Sequence, residues 1–328
     1  MRPHPALMIG LVIAAVLFGR MLPTWTLSLA TVAASNALIA LGIVVLARTG
    51  NVSFGQGLFF AAGGYGVALI ANAYGITDAV LQVVIGAVCG GLLGLLIGPL
   101  IARYTGIFFG MLTLALSMVL YGALLKTTVL GGSDGFNVGR PTLFGMVFSD
   151  TREADFMLYA VSVITTGLAG IAATFLFRSE LGLVSLAVRG NNLRVEYLGL
   201  SARRIVTVNF VIAAVFAGAS GALALMAQRH IDPQFAYWTT SGEFVFIAVL
   251  AGYQSVAAVY LASIALELVR SFSNLYLPNT WQLVLGVFLL AVILFLPRGI
   301  GSLWVRERRG RVDGAASAAL AAEKGTAS

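Results

Sequence analysis

Cysteine occurs once, at Cys89, which excludes an internal disulfide. Histidine occurs only at His4 and His230, too few for a Cys/His metal cluster. Lysine occurs twice: Lys126 follows leucine, and Lys324 lies near the C-terminus. Neither completes a G-x-x-x-x-G-K-[ST] phosphate loop, so if ATP drives this chain, another polypeptide must bind it. Charge is also scarce, at 10% of 328 residues, where a soluble domain has roughly 25%. That is too little to clothe a water-exposed surface. It excludes a cytosolic enzyme, a disordered chain and, despite a pI near 9.9, a nucleic-acid binder.

What is present in excess is apolar. Hydrophobic residues make up 59% and glycine contributes 38 positions; the mean hydropathy is +0.95. Glycine is frequent in membrane helices because it lets backbones approach closely. A crossing helix needs about 20 apolar residues. Such runs are read at about 6–22, 27–47, 57–74, 79–98, 106–129, 156–177, 204–227, 243–252, 256–273 and 281–296. The fold class expected is an all-α, polytopic membrane protein of about ten helices with short broken segments and two pseudo-repeated halves. The eighth run is too short for a straight crossing, so 243–273 is either one long helix or two pieces broken at Gly252-Tyr253-Gln254-Ser255.

Charge order decides between these. Loop 178–204 carries Arg178, Arg189, Arg194, Arg203 and Arg204, and the tail carries Arg298, Arg306, Arg308, Arg309 and Arg311. Both are expected in the cytoplasm. Loop 130–155, with Asp134, Asp150, Glu153 and Asp155, fits the outside. An even number of crossings must then separate loop 178–204 from the tail, which favours the broken reading. Ten crossings with both termini inside assign 14 of the 20 basic but only 5 of the 13 acidic residues to the cytoplasm. The first 22 residues resemble a signal peptide in Arg2 and the apolar run but lack an A-x-A-like site, so a retained helix is expected. Residues 1–305 are read as the transmembrane domain and 306–328, rich in Arg, Ala, Gly and Ser, as a disordered cytoplasmic tail.

Within the spans, Lys126, Glu243, Glu267 and Arg270 are all placed near outer helix ends, where long side chains reach water. That reading leaves no charged centre for a proton-coupled transporter. Three stretches carry information. Gly50-Asn51-Val52-Ser53-Phe54-Gly55-Gln56-Gly57, then Gly63-Gly64-Tyr65, reads either as a re-entrant segment beside a path or as a short turn before a glycine-packed helix. The loop 178–204 begins an amphipathic pattern at Leu181, Val184, Leu186, Ala187 and Val188, closed by Glu196-Tyr197-Leu198-Gly199. It reads as a membrane-surface or partner-docking helix, or as a plain basic connector. The outer stretch Gly131-Gly132-Ser133-Asp134-Gly135 reads as turns.

In this order the three stretches resemble the permease subunits of ATP-driven importers for branched-chain amino acids, of the M-type (LivM-like). There the first motif runs like G-x-L-S-L-G-Q-G-x-F and the outer loop like G-G-T-D-G. The cytoplasmic loop runs like R-S-x-x-G-R-x-x-x-A-I-R-E-N-E-x-A-A-E-x-L-G. Matching residues here include Arg178-Ser179, Gly182, Arg189, Asn191, Glu196 and Leu198-Gly199, then Asp232-Pro233, Ser241-Gly242-Glu243 and Phe295-Leu296-Pro297-Arg298-Gly299. Two places depart from the pattern. Gly190-Asn191-Asn192 stands for E-N-E, and Tyr253-Gln254 stands where small residues are usual.

The resemblance implies a permease in a bacterial inner membrane that pairs with a second, LivH-like permease, two ATPase subunits and a periplasmic binding protein. It implies no catalytic residue, metal or cofactor in this chain, with ATP and Mg held by the ATPases. Arg178, Arg189, Asn191, Asn192, Glu196 and Gly199 would serve the ATPase-coupling loop. Asn51, Ser53, Gly55, Gln56, Gly57, Tyr65, Tyr253 and Gln254 are the path candidates, and Ser133, Asp134 and Asp232 the binding-protein contacts. Other solutes of such importers (urea, short amides, aromatic acids, sugars), an ion-coupled secondary transporter and a membrane scaffold are the alternatives.

Overall fold

The computed structural model describes residues 5–146, 150–278, 280–295 and 299–301. The expected tail, 306–328, and the Leu296-Pro297-Arg298 part of the last motif lie outside the described residues. The chain is all-α and polytopic. Twelve helices are described: α1 Pro5–Gly19, α2 Thr24–Ala47, α3 Gln56–Tyr74, α4 Ala79–Ile101, α5 Ile107–Lys126, α6 Thr151–Arg178, α7 Glu180–Gly190, α8 Asn192–Tyr197, α9 Ala202–Gln228, α10 Trp238–Ala251, α11 Val256–Tyr276 and α12 Trp281–Phe295. Seven of them (α2–α6, α9 and α11) are long and apolar enough to cross a membrane, and α1, α10 and α12 are shorter apolar helices. These ten match the ten runs read from hydropathy. The break at 252–255 is real. Gly252 ends α10 with φ 73° and ψ 165°, a region that only glycine occupies without strain.

Helices α2 and α9 form the centre. From Ser35 to Leu46 and from Ala213 to Met226 nearly every side chain is buried, whatever face it occupies. A helix apolar all round belongs in such a position. Around them pack α3, α4, α6, α10 and α11. Leu11, Leu17, Ile107, Phe108, Leu290 and Leu294, on the outer helices α1, α5 and α12, are exposed. Exposed apolar side chains on this scale suit lipid or another subunit and not water.

Close approach to α9 uses glycine. Gly86, Gly90, Gly94 and Gly98 recur every fourth residue of α4, so they share one face. That face meets α9 directly: a Cβ at Gly86 would stand 2.6 Å from the Gly218 carbonyl, and one at Gly90 would stand 2.5 Å from that of Ala214. Short hydroxyl bonds add specificity where apolar contact alone gives little. Ser35 Oγ donates to the Ser220 carbonyl at 2.9 Å, and Ser220 Oγ donates back to Ser35 at 2.7 Å.

The loops gather at two ends. At one end Asp78 caps α4, accepting from Val80 and Leu81 amides at 3.0 and 3.1 Å through Oδ1. Its Oδ2 accepts the Phe144 amide at 2.6 Å, which holds that residue at φ 49°. One carboxylate thus joins a helix start to loop 142–146. Asp78→Ala is expected to cost about 1–2 kcal/mol, the value of a lost N-cap, and Asp78→Asn much less. Thermal unfolding of the purified protein in detergent checks this: equal melting of both variants would refute it.

Candidate functional site

The opposite end carries Arg48, Arg178, Arg189 and the turn at 252–255. The coupling-loop candidates fold there as two helices and not as one amphipathic run. Ser179 caps α7. Asn191 ends α7 and begins α8, its Oδ1 accepting the Arg194 amide at 3.2 Å, so a short polar residue splits the loop. Val188 and Val195 are buried, and Asn209 of α9 donates to Ser185 Oγ at 2.9 Å, anchoring α7 to the bundle. Leu183, Leu193, Tyr197 and Leu198 point away and are exposed, among Arg189, Arg194 and Glu196. Of these apolar positions the sequence pattern had singled out only Tyr197 and Leu198. Gly199 closes α8 at φ 81°.

Arg189 reaches inward from α7. Its guanidinium lies 3.6 Å from the centroid of the Tyr253 ring and donates to the Ala47 carbonyl at 3.4 Å. Arg48 donates to the Tyr253 carbonyl at 3.4 Å and stacks 4.1 Å over Phe177. Burial lowers the Arg48 pKa below the ordinary arginine value, the Tyr253 side chain raises it and Arg189 lowers it further; an arginine starts high enough to stay charged. Three segments distant in sequence therefore meet: the end of α2, the α6–α7 junction with α7, and the α10–α11 turn.

From this cluster residues 51–55 run as non-helical chain alongside α5. Asn51 Oδ1 accepts the Gly106 amide at 3.1 Å, and the Phe54 amide donates to Thr113 Oγ1 at 3.2 Å. The Gly57 amide, an open donor in the first turn of α3, is taken by Ser241 Oγ at 2.9 Å. Ser117 Oγ donates to the Ala236 carbonyl at 2.7 Å. Gly106 to Ser117 is about 17 Å of helical rise, so the non-helical chain and the 233–236 turn meet halfway along α5. The segment is broken, non-helical from the arginine end and then helical as α3 toward the Asp78 end, and Gly63 packs on Gly218 of α9. Asn51, Ser53, Gly55, Gln56, Gly57 and Tyr65 are all buried. Gln56 is fully enclosed and neither polar atom of its amide has a hydrogen-bond partner; the Tyr65 hydroxyl has none either. Tyr253 and Gln254 do not join this group; they lie in the arginine cluster and beside it.

One sequence expectation needs correcting. Glu243 and Glu267 are not at helix ends. Glu267 is the twelfth of 21 residues in α11, about 17 Å of rise from its start, because that helix extends to Tyr276. It is buried and accepts from Asn36 Nδ2 at 3.1 Å. Glu243 is the sixth residue of α10, which begins at Trp238 near mid-depth, and pairs with Arg270 at 3.0 Å. Hydropathy windows average over isolated charges, so nothing local signalled this cluster.

At the Asp78 end, Phe136 and Asn137 form a two-residue strand (β1) antiparallel to β2, His230–Ile231. It brings exposed Ser133 and Asp134, themselves bonded at 2.9 Å, to the same end as Asp232, which caps the 233–236 turn through the Gln234 amide at 3.0 Å.

The fold defines a polytopic all-α membrane bundle with non-helical backbone in its interior and buried unpartnered polar groups. Comparison with known proteins places it further. Residues 25–293 match the family described as "Branched-chain amino acid transport system / permease component", and the chain belongs to that family. It is 30% identical over 319 residues to the high-affinity branched-chain amino acid transport system permease protein LivM of Escherichia coli, covering 89% of this chain and 74% of the relative. The LivM protein of Salmonella typhimurium is 29% identical over the same shares. The Escherichia coli permease LivH is 26% identical, covering 82% and 92%. No solved structure matches.

Proposed function

We propose that this chain is the M-type permease subunit of an ATP-driven importer that moves branched-chain or related amino acids from periplasm to cytoplasm. It would cross the bacterial inner membrane ten times, with the arginine-bearing end and both termini in the cytoplasm. The partners are a LivH-like permease, two ATPases that hold ATP and Mg, and a periplasmic binding protein. The observation that carries this reading is Arg189. It ties an exposed helical loop to both the α10–α11 turn and the end of α2 that leads into the broken segment, as a motor-driven lever requires. Arg178, Arg189, Asn191, Asn192, Glu196 and Gly199 then belong to the ATPase contact, with Leu183, Leu193, Tyr197 and Leu198 as its apolar anchors.

Asn51, Ser53, Gly55, Gln56, Gly57 and Tyr65 form the interior segment beside the path. Tyr253 and Gln254 act in coupling, because they sit with Arg189. Ser133, Asp134 and Asp232 share the surface offered to the binding protein. Glu243 and Arg270 are partly exposed, and a charged pair at that depth is disfavoured in lipid, so they face the path or the second permease.

The test is uptake of labelled leucine into proteoliposomes holding the complete complex, with ATP inside and binding protein outside. ATP-dependent accumulation is expected; uptake indifferent to ATP would overturn the reading. In the same assay Glu243→Arg and Arg270→Glu should each cut uptake at least tenfold, and their combination should restore part of it. Uptake by both single variants at the unaltered rate would remove this pair from the transport machinery.

A further inference from the structure

A crevice of about 1220 Å3 opens between α1, α2, α6 and α11, apart from residues 50–57. Its walls are apolar, with Leu11, Val12, Ala30, Ala33, Val163 and Ile264 among them. At the arginine end it is lined by Arg48, Arg178 and Gln254. Arg48 is only 7% exposed, yet its Nε has no hydrogen-bond partner. The Gln254 Oε1 has none either, and an amide can turn to offer its donor. Among the described residues no carboxylate lines the crevice, and the ion pair found among them, Glu243–Arg270, joins α10 to α11 without contributing to this lining. Two cationic groups therefore close one end of an apolar channel. A buried charge without a counter-ion is costly, so the site is complementary to an anion that carries a long apolar body.

The length agrees. Ala30 to Arg48 spans about 27 Å of helical rise, close to the roughly 30 Å hydrocarbon thickness of a bilayer. Basic pockets between membrane helices on the cytoplasmic side suit anionic head groups. We propose that this crevice binds one anionic phospholipid, its phosphate on Arg48 and Arg178 and its acyl chains along α1, α2, α6 and α11. The proposal does not depend on which solute is carried.

The experiment is native mass spectrometry and lipid analysis of the complete complex taken from membranes of mixed phosphatidylethanolamine and phosphatidylglycerol. The unaltered complex should retain phosphatidylglycerol well above its bulk share. Arg48→Gln and Arg178→Gln should each reduce that enrichment about fivefold, the value of roughly 1 kcal/mol per basic side chain. Ile171→Trp narrows the crevice without touching a charge and should lose the retained lipid; it decides the matter if Arg48→Gln does not fold. Retained lipid that mirrors the bulk mixture would overturn the proposal, as would enrichment unchanged in Arg178→Gln and Ile171→Trp. Thermal stabilisation of the delipidated complex by inorganic phosphate alone, equal to that by phosphatidylglycerol, would mean a simple anion site. Dissociation of the two permeases by Ile171→Trp would mean a subunit seam.

Discussion

Gly218→Leu is expected to leave little or no folded protein in the membrane. Gly218 sits where α4 and α9 touch backbone to backbone. A Cβ there would collide with the Gly86 carbonyl and stand 2.9 Å from the Gly90 Cα. Neither is the far end of a side chain that could swing away, so the whole of α4 would have to shift. Overpacking in a core costs typically about 1–3 kcal/mol, and more where backbone must move. A fold with about 5–15 kcal/mol to lose does not absorb several such shifts. The same helix face contacts α3 at Gly63, so relief on one side is blocked on the other. Gly122→Leu is the control, since nothing lies within 4 Å of a Cβ at that position of α5. Size-exclusion profiles of tagged variants in mild detergent give the readout: Gly122→Leu should elute as the parent does, and Gly218→Leu should aggregate. A monodisperse Gly218→Leu at parental abundance would show that the α4–α9 contact is looser than described.

The second large effect concerns Arg189. Arg189→Glu should lower transport and binding-protein-stimulated ATP turnover about tenfold or more while leaving abundance unchanged. The side chain is largely at the surface, so little folding energy is at stake. What is lost is the cation–π contact with Tyr253, worth about 0.5–2 kcal/mol, and the link to the end of α2. Coupling between sites typically amounts to about 1–3 kcal/mol, or 5–150-fold, so removing one link moves turnover within that range. Tyr253→Ala should reproduce the defect, and the double variant should be no worse than either single one. Transport by Arg189→Glu at the parental rate would remove the coupling role from this loop.

Particular residues show how far the sequence could be read. The Gly252–Ser255 break was legible because a short apolar run allowed it and charge parity favoured it, and glycine is the residue such a backbone needs. Most helix limits were legible within a few residues, but α6 and α10 begin five residues earlier than read, at Thr151 and Trp238. The depth of Glu267 was not. It depends on where α11 ends and on Asn36, which is 231 positions away. Tyr253 and Gln254 were grouped with Gln56 because both stretches interrupt helices. The fold separates them, leaving one pair with the arginines and the other group enclosed beside α5.

The sequence by itself determined that the chain is a bundle of apolar helices, which segments form them and which end gathers arginine. Those are local properties. A helix in lipid must satisfy its own backbone within one segment, and hydropathy and charge report that position by position. Only the tertiary structure decided that non-helical chain from Asn51 to Gly55 enters the bundle, that Arg189 rests on Tyr253, and that Arg48 closes an apolar crevice with no counter-charge among the described residues. These depend on contacts between residues far apart along the chain. Such contacts are set by how closely helix backbones approach, and no hydropathy pattern records that distance.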